Sequence, residues 1–226
     1  MDYPARSLLV DTFIIFNSME NDHQQPTLTT ASVGKTAIRR ELLLRRRALG
    51  RDEWLQMSVA IQAHLMDMTE VLSASKVHCY VSMEDEREVS TAGLLAWLHS
   101  ERKMVCMPYI ERGCMVAATY QQDQCFSIPG IGPPVPDPLI TTDKVAFDLV
   151  IVPLVGADPK GGRLGYGKGW YDRFFAQLDS LGVHPLRIGL AFGFQLLDAL
   201  PSDPWDQLLD MVVTETGLIN CMDGRA

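Results

Sequence analysis

The sequence predicts an α/β fold: a single domain with a mostly parallel central sheet flanked by helices. Short apolar runs rich in β-branched residues recur along the chain, and segments of helical periodicity separate them. A glycine-rich, cationic stretch also stands between one such run and the next helix, where α/β folds place an anion site. Strands that alternate with helices pair in parallel and are covered on both faces.

The elements follow in order. Residues 35–49 are free of Pro and Gly, with Ile38, Leu42 and Leu49 on one face, so a helix is expected there. Lys35 and Arg39 lie one turn apart and project together. Arg45, Arg46 and Arg47 read as a solvated face. Residues 51–68 form a second helix with Trp54, Met57, Ile61, Leu65 and Met68 as its buried stripe. Strands are expected at 76–82, 103–109, 114–120, 148–155, 187–192 and 210–214, and a helix at 91–101. The proline- and glycine-rich residues 127–142 read as a surface loop, because apolar strands continue on both sides. The loops after residues 82, 109 and 155 should gather at the C-terminal edge of the sheet. Residues 1–33 are expected to be a disordered N-terminal extension, with Met19 as an alternative start. The domain then spans 34–218 and a C-terminal tail 219–226.

A composition of 47% hydrophobic and 21% charged residues fits a water-soluble globular protein. The net charge of −8 argues against a nucleic-acid partner, which would need clustered Lys and Arg. No run reaches the ~18 apolar residues of a membrane span, and the segment 8–16 is broken by Asp11. The five cysteines are odd in number and form no C-x-x-C pair, which favours reduced thiols and a cytoplasmic location, with a mitochondrial one left open. The five histidines have no ligand spacing.

Residues 161–172 carry the most chemistry. Gly161, Gly162, Gly165, Gly167 and Gly169 alternate with Arg163, Lys168 and aromatic side chains, and Asp172 closes the run. Glycines let successive backbone N–H groups approach an anion, and a following helix N-terminus adds partial positive charge. Two fixed cations suit a polyphosphate, and Asp172 suits an accompanying Mg²⁺. The stretch is not a Walker A loop, and Trp170 breaks a dinucleotide fingerprint. A decorated glycine turn is the plainer alternative. A second cluster, Glu84, Asp85, Glu86 and Glu88, follows the 76–82 strand as an acidic lip. Its plain reading is a helix-entry loop. Its functional reading turns one carboxylate inward, toward ring N–H and amino donors such as those of a pterin.

With both clusters in place, the chain resembles the 5-formyltetrahydrofolate cyclo-ligases, also called methenyltetrahydrofolate synthetases. The resemblance rests on residues 35–42, 81–86, 162–172 and 201–213, in order and at compatible spacing. It implies an α/β fold of the NagB/RpiA/CoA-transferase-like kind. It also implies ATP- and Mg²⁺-dependent closure of 5-formyltetrahydrofolate to 5,10-methenyltetrahydrofolate, with release of ADP and phosphate. By the same resemblance, ATP would contact Lys35, Arg39 and the run Arg163, Leu164, Gly165, Tyr166, Gly167, Lys168, Gly169, Trp170 and Tyr171. Lys35, Arg163 and Lys168 would carry catalysis. Folate would contact Val81, Glu86 and the segment from Tyr166 through Trp170, with Glu86 as the pterin carboxylate. Asp172 and Asp206 would hold Mg²⁺.

Tyr166 departs from the resemblance, standing where many members carry a cation, and so do Trp170 and Ala157. A monomer acting on small molecules alone is expected. Two alternatives stay open: a non-catalytic folate or nucleotide binder that keeps the pocket, and a sugar-phosphate isomerase on a similar scaffold, which would need an acid–base pair beside the phosphate site.

Overall fold

Apolar runs without a polar face must be covered on both sides, and helices provide that cover here. The computed structural model describes residues 34–129, 132–142 and 146–222. The expected extension 1–33 and the start at Met19 lie outside the described residues. The chain forms α1 (Lys35–Arg47), α2 (Arg51–Met66), α3 (Thr69–Ser73), β1 (Lys76–Cys79), α4 (Ala92–Ser100), β2 (Met104–Glu111), β3 (Cys114–Thr119), β4 (Cys125–Ser127), β5 (Val135–Asp137), β6 (Thr141–Thr142), β7 (Leu149–Pro153), β8 (Gly156–Ala157), β9 (Arg163–Leu164), α5 (Trp170–Ser180), β10 (Leu186–Leu190), β11 (Met211–Thr214) and β12 (Gly217–Asn220).

Eight strands make the central sheet in the order β12-β11-β10-β7-β1-β2-β3-β6. The inner strands β11, β10, β7, β1 and β2 are parallel, with Val77 opposite both Leu149 and Val105. β12, β3 and β6 close the edges in antiparallel fashion. The α/β fold with a mostly parallel sheet is therefore present, with mixed edges. Strand alternation divides the core in two. Leu149 and Ile151 pack with Val77, Leu94 and Trp54 on the face covered by α2, α3 and α4. Val150 and Val152 pack with Phe174, Phe175 and Leu178 of α5 on the other face.

Two boundaries differ from the sequence reading. The segment 127–142 is not loop throughout: β5 pairs with β4, and β6 adds to the sheet edge beside β3. The domain does not stop at 218 either. β12 runs to Asn220 and pairs with β11, with Met211 opposite Asn220. Both segments are edge strands, where prolines and half-buried side chains are tolerated and the apolar signal is weak.

β1, β2 and β7 lie side by side and end on the same side of the sheet. Val81 just beyond β1, Pro153 at the end of β7 and Pro108 in the C-terminal half of β2 line one cavity. The loops expected to gather there thus do so, at the edge where open α/β sheets place ligands.

Candidate active site

The glycine segment is held before it meets any ligand. β8 and β9 pair as a hairpin, with Gly156 opposite Leu164. The Asp158 carboxylate closes its turn, accepting hydrogen bonds from the Lys160 and Gly162 amides at 2.9 Å each. Leu164 points away from the cavity and packs with Ile38, Leu42 and Val155, so α1 is docked against the base of the loop. The approach is close enough that a Cβ at Gly156 would lie 2.7 Å from Leu42 Cδ1.

Docked in this way, α1 presents Lys35 and Arg39 to the loop. Arg39 Nε donates to the Gly165 carbonyl at 2.7 Å. Gly167 takes φ 84°, and a Cβ there would sit 3.4 Å from the Arg39 guanidinium carbon in a backbone conformation that only glycine adopts readily. Gly169, at φ 63°, turns the chain into α5, whose N-terminus faces the same space.

Three ion pairs converge beside the loop, two on Lys35 and one on Arg163. Lys35 Nζ bonds Asp203 at 2.6 Å and Asp206 at 2.5 Å. Burial lowers the Lys35 pKa, but the hydrogen bonds and charges of the two carboxylates outweigh it and the net shift is upward. Arg163 Nη2 bonds Asp172 at 2.6 Å, and Asp172 also accepts the Gln207 amide at 3.2 Å, one residue from Asp206. The Arg163 guanidinium lies over the Tyr171 and Phe175 rings. Arg163 Nη1 and the Tyr171 hydroxyl are buried without a partner, although both residues line the cavity. Unpaired buried donors at a cavity wall are groups that a ligand can satisfy. Among the described residues no group of three or more His, Cys, Asp or Glu side chains is placed to hold a metal ion.

The acidic lip is fastened from the other end of α1. Arg47 Nη2 bonds both Glu86 carboxylate oxygens at 2.8 Å, and Arg46 Nε bonds the Glu86 carbonyl at 2.7 Å. The expectation that Arg46 belongs to a solvated face fails: Arg46 is 1% exposed. Its other nitrogens reach the Leu154 carbonyl at 3.1 Å and the Tyr166 hydroxyl at 2.5 Å. Tyr166 in turn donates to Glu88 at 2.7 Å, and Glu88 also accepts the Met83 amide at 2.8 Å. Burial pushes the Glu88 carboxyl upward, and the Arg46 charge and these hydrogen bonds pull it part of the way back. Thus, where the resemblance expects a cation at 166, Arg46 brings one to the Tyr166 hydroxyl from α1.

Every residue expected in the site lines one cavity of about 970 Å³. Lys168 stands on it with an exposed side chain, and Trp170, half-buried against the core at the start of α5, lines it as well. Arg46, Glu88, Asp203 and Trp205 are given no individual site role by the sequence reading. Two carboxylates spaced from Glu86 as Glu84 and Glu88 are give no hint which one turns inward; burial decides it. Among the described residues no histidine lines the cavity. His78 is buried against Phe147, Tyr171 and Phe174 with neither ring nitrogen hydrogen-bonded. Among the described residues no disulfide joins any cysteine.

Fold and site together define an α/β protein with a cationic glycine loop and an acidic lip in one cavity at the sheet's C-terminal edge. The chain belongs to the 5-formyltetrahydrofolate cyclo-ligase family, whose sequence model matches residues 31–215, and it is an enzyme of the ligase class. It is 28% identical to the mouse 5-formyltetrahydrofolate cyclo-ligase over 82% of this chain and 96% of that one. It is 30% identical to the Escherichia coli K12 5-formyltetrahydrofolate cyclo-ligase over 75% of this chain and 94% of that one. The structure of the Aquifex aeolicus 5,10-methenyltetrahydrofolate synthetase superposes with a TM-score of 0.72 at 29% identity, covering 85% of this chain and 95% of the other.

Proposed function

We infer that the enzyme closes the five-membered ring of 5-formyltetrahydrofolate at the expense of ATP, giving 5,10-methenyltetrahydrofolate, ADP and phosphate. One observation carries this reading: α1 ties the cationic glycine loop and the acidic lip to a single cavity, with Lys35 and Arg39 toward the loop and Arg46 and Arg47 on the lip. A phosphate donor and a pterin could thus lie end to end.

The formyl oxygen attacks the γ-phosphorus, the bond to ADP breaks, and an activated formyl phosphate forms on N5. N10 then attacks the formyl carbon, its proton leaves, and the C–O bond breaks to release phosphate. The nucleophile is part of the substrate, so the protein must supply position and charge rather than a base. Lys168 and Arg163 offset the charge that builds on the transferring phosphoryl oxygens. Loop amides from Gly165 to Gly169 and the α5 N-terminus bind the remaining phosphate oxygens. Arg47 orients Glu86 toward the pterin, Val81 gives an apolar contact, and Glu88 with Tyr166 closes the polar wall behind the lip. The aromatic faces of Tyr166 and Trp170 border the folate.

Asp172 and Asp206 suit Mg²⁺ bound together with ATP. The donors are all oxygen, Asp172 accepts the amide of Gln207, the residue after Asp206, and phosphate and water would complete the shell. When bound, Mg²⁺ would neutralise phosphate charge. The carboxylates' present partners, Lys35 and Arg163, are then free to turn to phosphate. The protein acts as a monomer on small molecules, without nucleic acid or membrane, in the cytoplasm.

The test is direct. Purified protein with Mg-ATP and 5-formyltetrahydrofolate should produce the near-UV absorbance of the methenyl product, and none without ATP. Binding of both substrates without product would instead identify a non-catalytic binder.

A further inference from the structure

Trp205 has no role so far, and its environment is unusual. It is 68% exposed, yet it lines the cavity. It lies between Asp203 and Asp206, the two carboxylates that grip Lys35 at 2.6 and 2.5 Å. Trp205 and Lys35, the first residue of α1, thus line the same cavity and are linked through these two aspartates. The acidic lip is bound to the last two residues of the same helix, Arg46 and Arg47. At about 1.5 Å per residue, the interval from Lys35 to Arg46 spans roughly 16 Å. Arg39 contacts the glycine loop between these two ends.

α1 is thus a ruler for the cavity: lip at one end, phosphate loop between, Trp205 at the other. A nucleoside triphosphate whose terminal phosphate points toward the lip must extend its base toward Trp205. We propose that Trp205 is the stacking platform for the nucleotide base, a binding residue recognising the flat π-face of a purine. The inference rests on the reading of the loop as an ATP site. An aromatic plane at the rim suits this role, because a base stacks there without burying its polar edge. The flanking aspartates fix the loop that carries the indole, since Asp206 accepts the Asp203 amide at 2.8 Å while holding Lys35.

The experiment compares Mg-ATP with Mg-tripolyphosphate by calorimetry on the full chain, without folate, for the wild type, Trp205→Ala and Trp205→Phe. Trp205→Ala should weaken Mg-ATP by about tenfold or more, and leave tripolyphosphate unchanged. Trp205→Phe should recover most of the loss. In turnover, Trp205→Ala should raise KM for ATP and leave kcat and the KM for folate in place. Equal loss of both phosphate probes would make Trp205 a structural support of the aspartates and overturn the proposal. Unchanged Mg-ATP affinity, or a rise confined to the KM for folate, would overturn it as well. A wild type that binds neither probe would overturn the ATP reading itself, and the stacking role with it; a defect seen only in the variants bears on Trp205 alone. Because the side chain is mostly exposed, Trp205→Ala should keep the wild-type melting temperature.

Discussion

Replacing Arg46 by Met isolates what its buried guanidinium does. Met fills the space of the arginine stem, so the loss is one of charge and hydrogen bonds rather than of volume. Three acceptors lose their donor: the Glu86 carbonyl, the Leu154 carbonyl and the Tyr166 hydroxyl. Glu88, itself 3% exposed, loses the buried cation joined to it through Tyr166. Arg46 and Glu88 are bridged by Tyr166 rather than directly paired, but removing the compensating cation leaves the Glu88 charge desolvated, at a cost of about 3–5 kcal/mol as for a broken buried ion pair. For a domain of this size each kcal/mol shifts the melting temperature by roughly 2–4 °C, so Arg46→Met should melt about 6–20 °C lower. Urea unfolding at neutral pH measures the loss directly. Glu88→Gln removes the charge that Arg46 compensates. The double variant should therefore lose less than the sum of the single losses, by about 1–3 kcal/mol. An Arg46→Met protein within 1 kcal/mol of wild type, or strictly additive losses, would refute the buried network as drawn.

Other substitutions probe the phosphate end and the core. Lys168→Ala removes an exposed cation from the cavity and should lower kcat on the order of 10²–10³-fold in the methenyl absorbance assay with little change in stability. Asp172→Asn should raise the Mg²⁺ concentration needed for half-maximal turnover; a metal titration that overlays the wild type would remove Asp172 from the ligand set. His78 affects stability in acid. Its burial lowers the pKa from 6.5 to about 3, so the folded protein leaves it neutral while the unfolded chain protonates it. Between those values the unfolded state binds more protons, and stability falls as pH drops. At about 1.36 kcal/mol per unit, this amounts to about 3 kcal/mol by pH 4.5. Urea unfolding of His78→Phe should show that part of the acid loss removed.

What could be read in the sequence was whatever local pattern controls. The run at 148–155 shows a buried strand because neither face of β7 meets water. The glycine segment shows itself because a backbone that approaches Arg39 needs glycine at 167. Lys35 and Arg39 are legible as a pair because helix spacing alone puts them on one side. Arg46 is not legible, since it sits within a run of three arginines and its burial depends on Glu86 and Tyr166, which are 40 and 120 positions away. Glu88 is hidden for the same reason: nothing local separates it from Glu84 or Glu86. β12 and β6 are short edge strands with mixed exposure, so their pairing is decided by the neighbouring strand rather than by their own residues. Trp205 looks like a core residue by composition, and only the fold shows that it stands uncovered at the cavity mouth.

The central claim is that the cavity brings the folate formyl oxygen to the terminal phosphorus of ATP. Turnover of 5-formyltetrahydrofolate labelled with ¹⁸O in the formyl group, followed by mass analysis of the released phosphate, tests it most directly. Phosphate carrying one ¹⁸O per turnover is expected. Unlabelled phosphate, with the isotope recovered in water, would contradict it.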